Sequence, residues 1–174
     1  MANTSPNDLS LTIATAPSRM RPDAQLLSSA DILLDLDVST NARALEEVGR
    51  LFEQRHGLPR EEVIESLSAR EAMGSTGLGL GIALPHARIK NLPQPVAAFV
   101  RLKLPIPFDA PDAKPVSHMV ILLVPWHATE QHLQILAEIA QMFGDGPFRE
   151  QMRSCDNPDA VCRLFSGWRN PDIR

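Results

Sequence analysis

The run His118–Val124, HMVILLV, limits the fold more than any other part of the chain. It has the length of a strand, no polar residue follows its histidine, and Pro125 ends it. A strand without alternation must be covered on both faces, so it belongs at the centre of a sheet with further layers on either side. The neighbouring segments supply those layers. Leu33–Val38, LLDLDV, alternates apolar and acidic residues and predicts an edge or half-buried strand, and Val96–Leu104, VAAFVRLKL, predicts another. Ala42, Leu45, Val48, Leu51 and Phe52 recur at helical spacing. Ser39, Thr40 or Asn41 can cap that helix and Gly57 can end it. Pro59 suits the first position of a second helix, with Glu61 and Glu62 in its first turn and Val63, Ile64 and Leu67 continuing toward Arg70.

Beyond Pro125, Thr129 is placed to cap a helix whose expected buried stripe is Leu133, Leu136, Ala140 and Phe143, with Gly144 just past its end. A short helix near Phe148–Arg153 follows. Asn157-Pro158 then opens a last helix with Val161, Leu164 and Phe165 on one face. Strands and helices intermix, and not every connection between strands is helical. The expected fold is therefore a single α/β layered domain with a central mixed sheet flanked by helices. Residues 1–25, rich in Ser, Thr, Pro, Asn and Ala, read as a disordered extension. The domain is expected over residues 26–168, with a short tail at 169–174.

Composition narrows function by exclusion. A formal charge of -4 argues against nucleic-acid binding by phosphate neutralisation. No stretch approaches the roughly 20 apolar residues of a membrane span, and the first residues lack the basic and apolar regions of a secretory signal. Cys155 and Cys162 fit no zinc template and are too few for a disulfide scaffold. A reduced, cytoplasmic protein is the expectation.

The segment GSTGLGLGIALPHARI, from Gly74, is too rich in glycine for a helix. It predicts a turn, a short strand near Ile82–Leu84, and a loop at Pro85-His86. It lacks the Lys-Ser/Thr of a P-loop. It also runs from helix into strand, opposite to a dinucleotide-binding loop. Ser75 has no G-x-S-x-G frame and reads as a turn hydroxyl bonding nearby backbone. His127 and His132, five apart, do not match the four-residue spacing of a helical metal pair, so no metal or cofactor is expected. His86 follows a proline that fixes φ and removes a donor. A lone histidine there is by default a satisfied structural residue. His132 changes that balance, because it falls in the first turn of a helix, where free N–H groups and the helix dipole favour an anion. Arg70 ends the preceding helix and offers a planar fork of donors to a phosphate. The three make a coherent phosphoryl-accepting set if the fold brings them together.

On these residues the chain resembles a known family. The run ARE-x-MGSTG-x-G-x-GIA-x-PHARIK, residues 69–90, is similar to the signature around the phosphorylated histidine of phosphotransferase-system enzyme IIA domains of the fructose, mannitol and nitrogen-regulatory type. FVRLKLPIPFDAPDAKPV, residues 99–116, and ILLVPWHATEQHLQILAEIAQMF, residues 121–143, resemble the blocks that follow. The R-E-x-M-G-S-T-G form is similar to the nitrogen-regulatory branch. The resemblance implies an enzyme IIA type 2 fold, with His86 as phosphoryl acceptor through Nε2, Arg70 holding the phosphate and His132 as second active-site histidine. It implies a phosphocarrier that receives its phosphoryl group from an HPr-like (NPr) phosphohistidine protein and regulates partner proteins by its phosphorylation state. Departures are Leu80, where Asn is common, Ala87, where Gly is frequent, and Trp126-His127, where small or acidic residues are usual.

The chemistry requires an unprotonated attacking nitrogen, with the other ring nitrogen holding the proton against a backbone carbonyl or similar acceptor. Positioning and charge stabilisation then do the rest. Two other readings share the blocks: a sugar-specific IIA component that passes phosphate to a separate IIB, and a binding module that is never phosphorylated.

Overall fold

The computed structural model describes residues 26–128 and 130–173, so the expected extension at 1–25 and the expected cap at Thr129 lie outside the described residues. A short 3-10 turn, Ser29–Asp31, leads into β1 (Ile32–Leu36). Helices α1 (Asn41–His56) and α2 (Arg60–Ala72) follow, then the short strands β2 (Gly77–Gly79), β3 (Ile82–Ala83) and β4 (His86–Ile89). The long strands β5 (Val96–Ile106) and β6 (Val116–Pro125) precede α3 (Glu130–Gly144), α4 (Gly146–Arg153) and α5 (Pro158–Gly167).

The six strands form one mixed sheet in the order β1-β5-β6-β3-β2, with β4 also paired to β6. β1 runs parallel to β5, β5 antiparallel to β6, and both β3 and β4 parallel to β6. The HMVILLV run occupies the middle of β6 and is buried throughout. Its alternate residues serve opposite layers, as the pleat requires. Val120, Leu122 and Val124 join a core with Ile135, Ile139 and Phe143 of α3 and Val161 and Phe165 of α5. Met119, Ile121 and Leu123 join a second core with Leu45, Val48 and Phe52 of α1 and Val63 and Leu67 of α2. Each such aliphatic side chain, moved fully out of water, contributes about 1.5–3 kcal/mol.

Local signals explain the helix ends. Thr40 caps α1, its hydroxyl accepting from the Arg43 amide at 3.2 Å, and Gly57 closes the helix at φ 67°, which suits a residue without Cβ. Pro59 is the residue before α2 rather than its first. Asn157 caps α5 through the Ala160 amide at 2.9 Å.

Three further expectations are corrected. His86 does not lie in a loop: it opens β4, pairing with Leu122 in register. The buried face of α3 is also rotated from the expected stripe. His132, Ile135, Ile139, Met142 and Phe143 face inward, while Leu133 is 65% exposed and Leu136 and Ala140 are half-buried. An imidazole takes the position that hydrophobicity alone would give to leucine. Gly144 is the last residue of α3 rather than the one after it.

Candidate active site

β3 and β4 lie end to end along one side of β6, with Ile82 and Ala83 opposite His118 and Met119, and His86 opposite Leu122. Between them Leu84-Pro85 interrupts the strand. Pro85 has no N–H to give the ladder, but its carbonyl still accepts from the Leu122 amide at 2.9 Å. The Leu84 amide bonds back to the Thr76 carbonyl at 3.0 Å, and the Leu84 carbonyl meets Nδ1 of His86 at 2.8 Å. A carbonyl only accepts, so Nδ1 carries the proton and Nε2 keeps its lone pair. The ring is half-buried rather than fully exposed as its reading as a loop residue implies. Burial pushes its pKa below the ordinary 6.5; the Leu84 bond opposes that, with smaller opposite contributions from Arg70 and Glu71. At neutral pH His86 is thus an uncharged imidazole with one free nitrogen.

His132 lies against it. The ring centroids are 5.4 Å apart and the planes meet at 61°. His132 is 9% exposed, and neither ring nitrogen has a hydrogen-bond partner among the described residues. Its pKa is lowered first by burial, then by His86, Arg88 and Arg70. A buried polar atom is costly unless water or another group satisfies it. His132 sits in the first turn of α3, where the helix favours negative charge.

Arg70 lies in the last turn of α2, which runs on to Ala72, and is half-buried, close enough to influence both rings electrostatically. Its Nη1 donates to the Gly74 carbonyl at 2.8 Å, which holds the guanidinium at the start of the glycine turn. The fold therefore brings His86, His132 and Arg70 together from three separate elements.

Sequence reasoning missed two further residues. Glu71 accepts from the amide of buried Thr76 at 3.1 Å and from its hydroxyl, pinning the glycine turn to the end of α2. Arg88 projects from β4 two residues beyond His86. Once residues 86–89 are read as a strand, alternation places both on one face, but the proline hid that strand. Ser75 behaves as expected, its hydroxyl accepting from the Gly77 amide at 3.1 Å and donating to the Asp109 carbonyl. Leu80 has φ 58°, its amide bonded to Asp112 at 2.8 Å. Asn tolerates that left-handed backbone better than leucine does.

His127 is exposed in the turn after β6. Among the described residues no group of three or more His, Cys, Asp or Glu side chains is arranged to hold a metal ion. No helix among them is long and apolar enough to cross a membrane.

The family profile described as "Phosphoenolpyruvate-dependent sugar phosphotransferase system, EIIA 2" matches residues 25–167. The chain belongs to this family. Among its EIIA type 2 relatives, the nitrogen regulatory protein of Pseudomonas aeruginosa is 36% identical over 149 residues, which cover 84% of this chain and 96% of that one. The crystal structure of nitrogen regulatory protein IIA-Ntr from Neisseria meningitidis superposes with a TM-score of 0.78 at 41% identity, covering 82% of this chain and 97% of that chain. IIA mannitol from Escherichia coli shares the fold, with a TM-score of 0.68 at 19% identity over 80% of this chain and 98% of its own. This EIIA type 2 chain is thus a component of the phosphotransferase system with relatives named for nitrogen regulation, as the three sequence blocks imply.

Proposed function

We propose that His86 is the phosphoryl acceptor and attacks through Nε2. The observation that carries this is the 2.8 Å contact from Nδ1 to the Leu84 carbonyl, which leaves Nε2 unprotonated beside His132. The donor is an HPr-like (NPr) phosphohistidine protein. Its P–N bond breaks as the bond from phosphorus to Nε2 of His86 forms, and the donor imidazole leaves. His132 and Arg70 stabilise the charge of the phosphoryl group through the reaction and in the product. The phosphorylated ring adds a charge of about -1.5 to -2 at neutral pH, which changes the binding of partner proteins. A regulatory role is favoured over a sugar-specific one by the relatives at 36% and 41% identity, which carry nitrogen-regulatory names over nearly their whole length. A cytoplasmic location belongs to the same reading and is supported by the free thiols of Cys155 and Cys162.

The test is incubation with a phosphorylated HPr-like protein, followed by intact mass and acid lability of the label. Wild type gains one phosphoryl group. His86→Ala melts cooperatively, because the ring is not part of either apolar core, and gains none. Equal labelling of the two proteins would overturn the assignment.

A further inference from the structure

We propose that Arg88 is a second phosphoryl-binding cation, bonding the oxygens of the group carried by His86 from the same strand. The inference rests on His86 as the acceptor and adds a residue that the chemistry of His86, His132 and Arg70 does not require. Three observations support it. The first is placement. In β4 the residues alternate: Ala87 and Ile89 are buried in the core with α1 and α2, while His86 and Arg88 take the opposite face. Residues two apart on a strand are about 6.6 Å apart along it, which a flexible arginine side chain spans easily. The second is availability. Arg88 is exposed and takes part in no hydrogen bond or ion pair among the described residues, whereas Arg70 is already bonded to Gly74. The third is position relative to His132. His132 is buried beside His86 without a hydrogen-bond partner among the described residues, and the Arg88 charge is within electrostatic range of that ring.

The chemistry suits the product more than the free protein. Before transfer, the site holds two neutral imidazoles and two guanidiniums against the one carboxylate of Glu71, so positive charge is in excess there in a protein of net charge -4. The dianionic phosphoryl group offsets that excess. Arg70 reaches it from α2 and Arg88 from β4, so the group is held between a helix end and a strand. Planar guanidiniums suit phosphoryl oxygens better than ammonium groups do.

The test uses the full chain and phosphoramidate, a small donor with no docking surface of its own. Its P–N bond breaks, ammonia leaves, and the phosphoryl group bonds to Nε2. Wild type, His86→Ala, Arg88→Gln and Arg88→Lys are labelled in single-turnover experiments. The second ionisation of the phosphoryl group is then followed by 31P NMR, and the His132 ring by its carbon-bound protons. Arg88→Gln should slow labelling about tenfold or more, raise the second pKa of the phosphoryl group, and raise that of His132 in the unlabelled protein. Arg88→Lys should restore part of each effect. If Arg88→Gln labels from phosphoramidate as fast as wild type and leaves the phosphoryl titration unmoved, the inference is wrong. That holds even if transfer from a protein donor is slowed, since Arg88 is then a docking residue. If wild type takes no label from phosphoramidate or from a phosphorylated HPr-like protein, the acceptor assignment itself falls and this inference falls with it.

Discussion

Two properties of the Arg70 side chain, its charge and its planar fork, are separable by substitution. Lysine keeps the charge and loses the fork, while alanine loses both. Arg70→Lys should slow transfer to His86, and Arg70→Ala should slow it by about ten- to a hundredfold. The basis is that a charge-assisted hydrogen bond contributes about 1.5–3 kcal/mol, at about 1.36 kcal/mol per decade of rate. Stability should fall only slightly in both variants, because the guanidinium is half-buried and its structural contact is one bond to the Gly74 carbonyl. A thermal melt beside single-turnover transfer makes the check. Wild-type transfer rates in Arg70→Ala, or failure traced to unfolding, would make Arg70 a structural residue. The neighbouring Glu71 shows the contrast: its carboxylate is consumed by the Thr76 amide and hydroxyl, so it holds the turn and has little left to offer a phosphoryl group.

The central strand contains a titrating group of its own. His118 on β6 is 5% exposed, with Nδ1 2.8 Å from the Ser117 hydroxyl and Nε2 without a partner among the described residues. Burial, aided by the Arg101 and Arg153 guanidiniums, lowers its pKa from 6.5 to about 4. Above pH 6.5 the ring is neutral whether the chain is folded or not, and its contribution is constant. Below 6.5 the unfolded chain binds a proton that the folded chain refuses, so stability falls on acidification until about pH 4. At about 1.36 kcal/mol per pH unit the whole loss is about 3 kcal/mol. Urea midpoints measured from pH 7 to 4 should therefore fall more steeply in wild type than in His118→Gln; parallel slopes would contradict the assignment. The same strand was the most legible element of the sequence, because an unbroken apolar run has few other places to go. The α1 helix was equally clear, since its periodicity agrees with Thr40 at one end and Gly57 at the other. What was hidden had physical causes. β4 is short and begins straight after a proline, so its pattern looks like loop. The inward face of α3 is hidden because an imidazole, His132, takes a buried position that a hydrophobic pattern assigns to leucine, and Leu133 is turned out in exchange. The histidines and arginine of the site were visible as candidates, yet only the fold shows that Leu84 offers its carbonyl and that Arg88 shares a face with His86.

Both faces of the sheet are filled, and β6 contributes to both cores at once. Nothing in that arrangement offers a second packing of similar stability. Phosphorylation should accordingly act by local charge: the far-UV circular dichroism of the labelled chain should match that of the free one. Amide shift changes should concentrate at residues 70–90 and 125–135. Shifts spread across α5 and β1 would instead indicate a rearranged fold. The interrupted strand at Leu84-Pro85 has a further consequence at this scale. An unfolded chain presents both ring nitrogens of His86 to a reagent, and so yields a mixture of two phosphohistidine isomers. The folded chain occupies Nδ1 with the Leu84 carbonyl and exposes one reactive nitrogen. Isomer purity is therefore a property of the tertiary structure, and the ratio of the two isomers in a labelled sample records what fraction of the molecules was folded when the label went on.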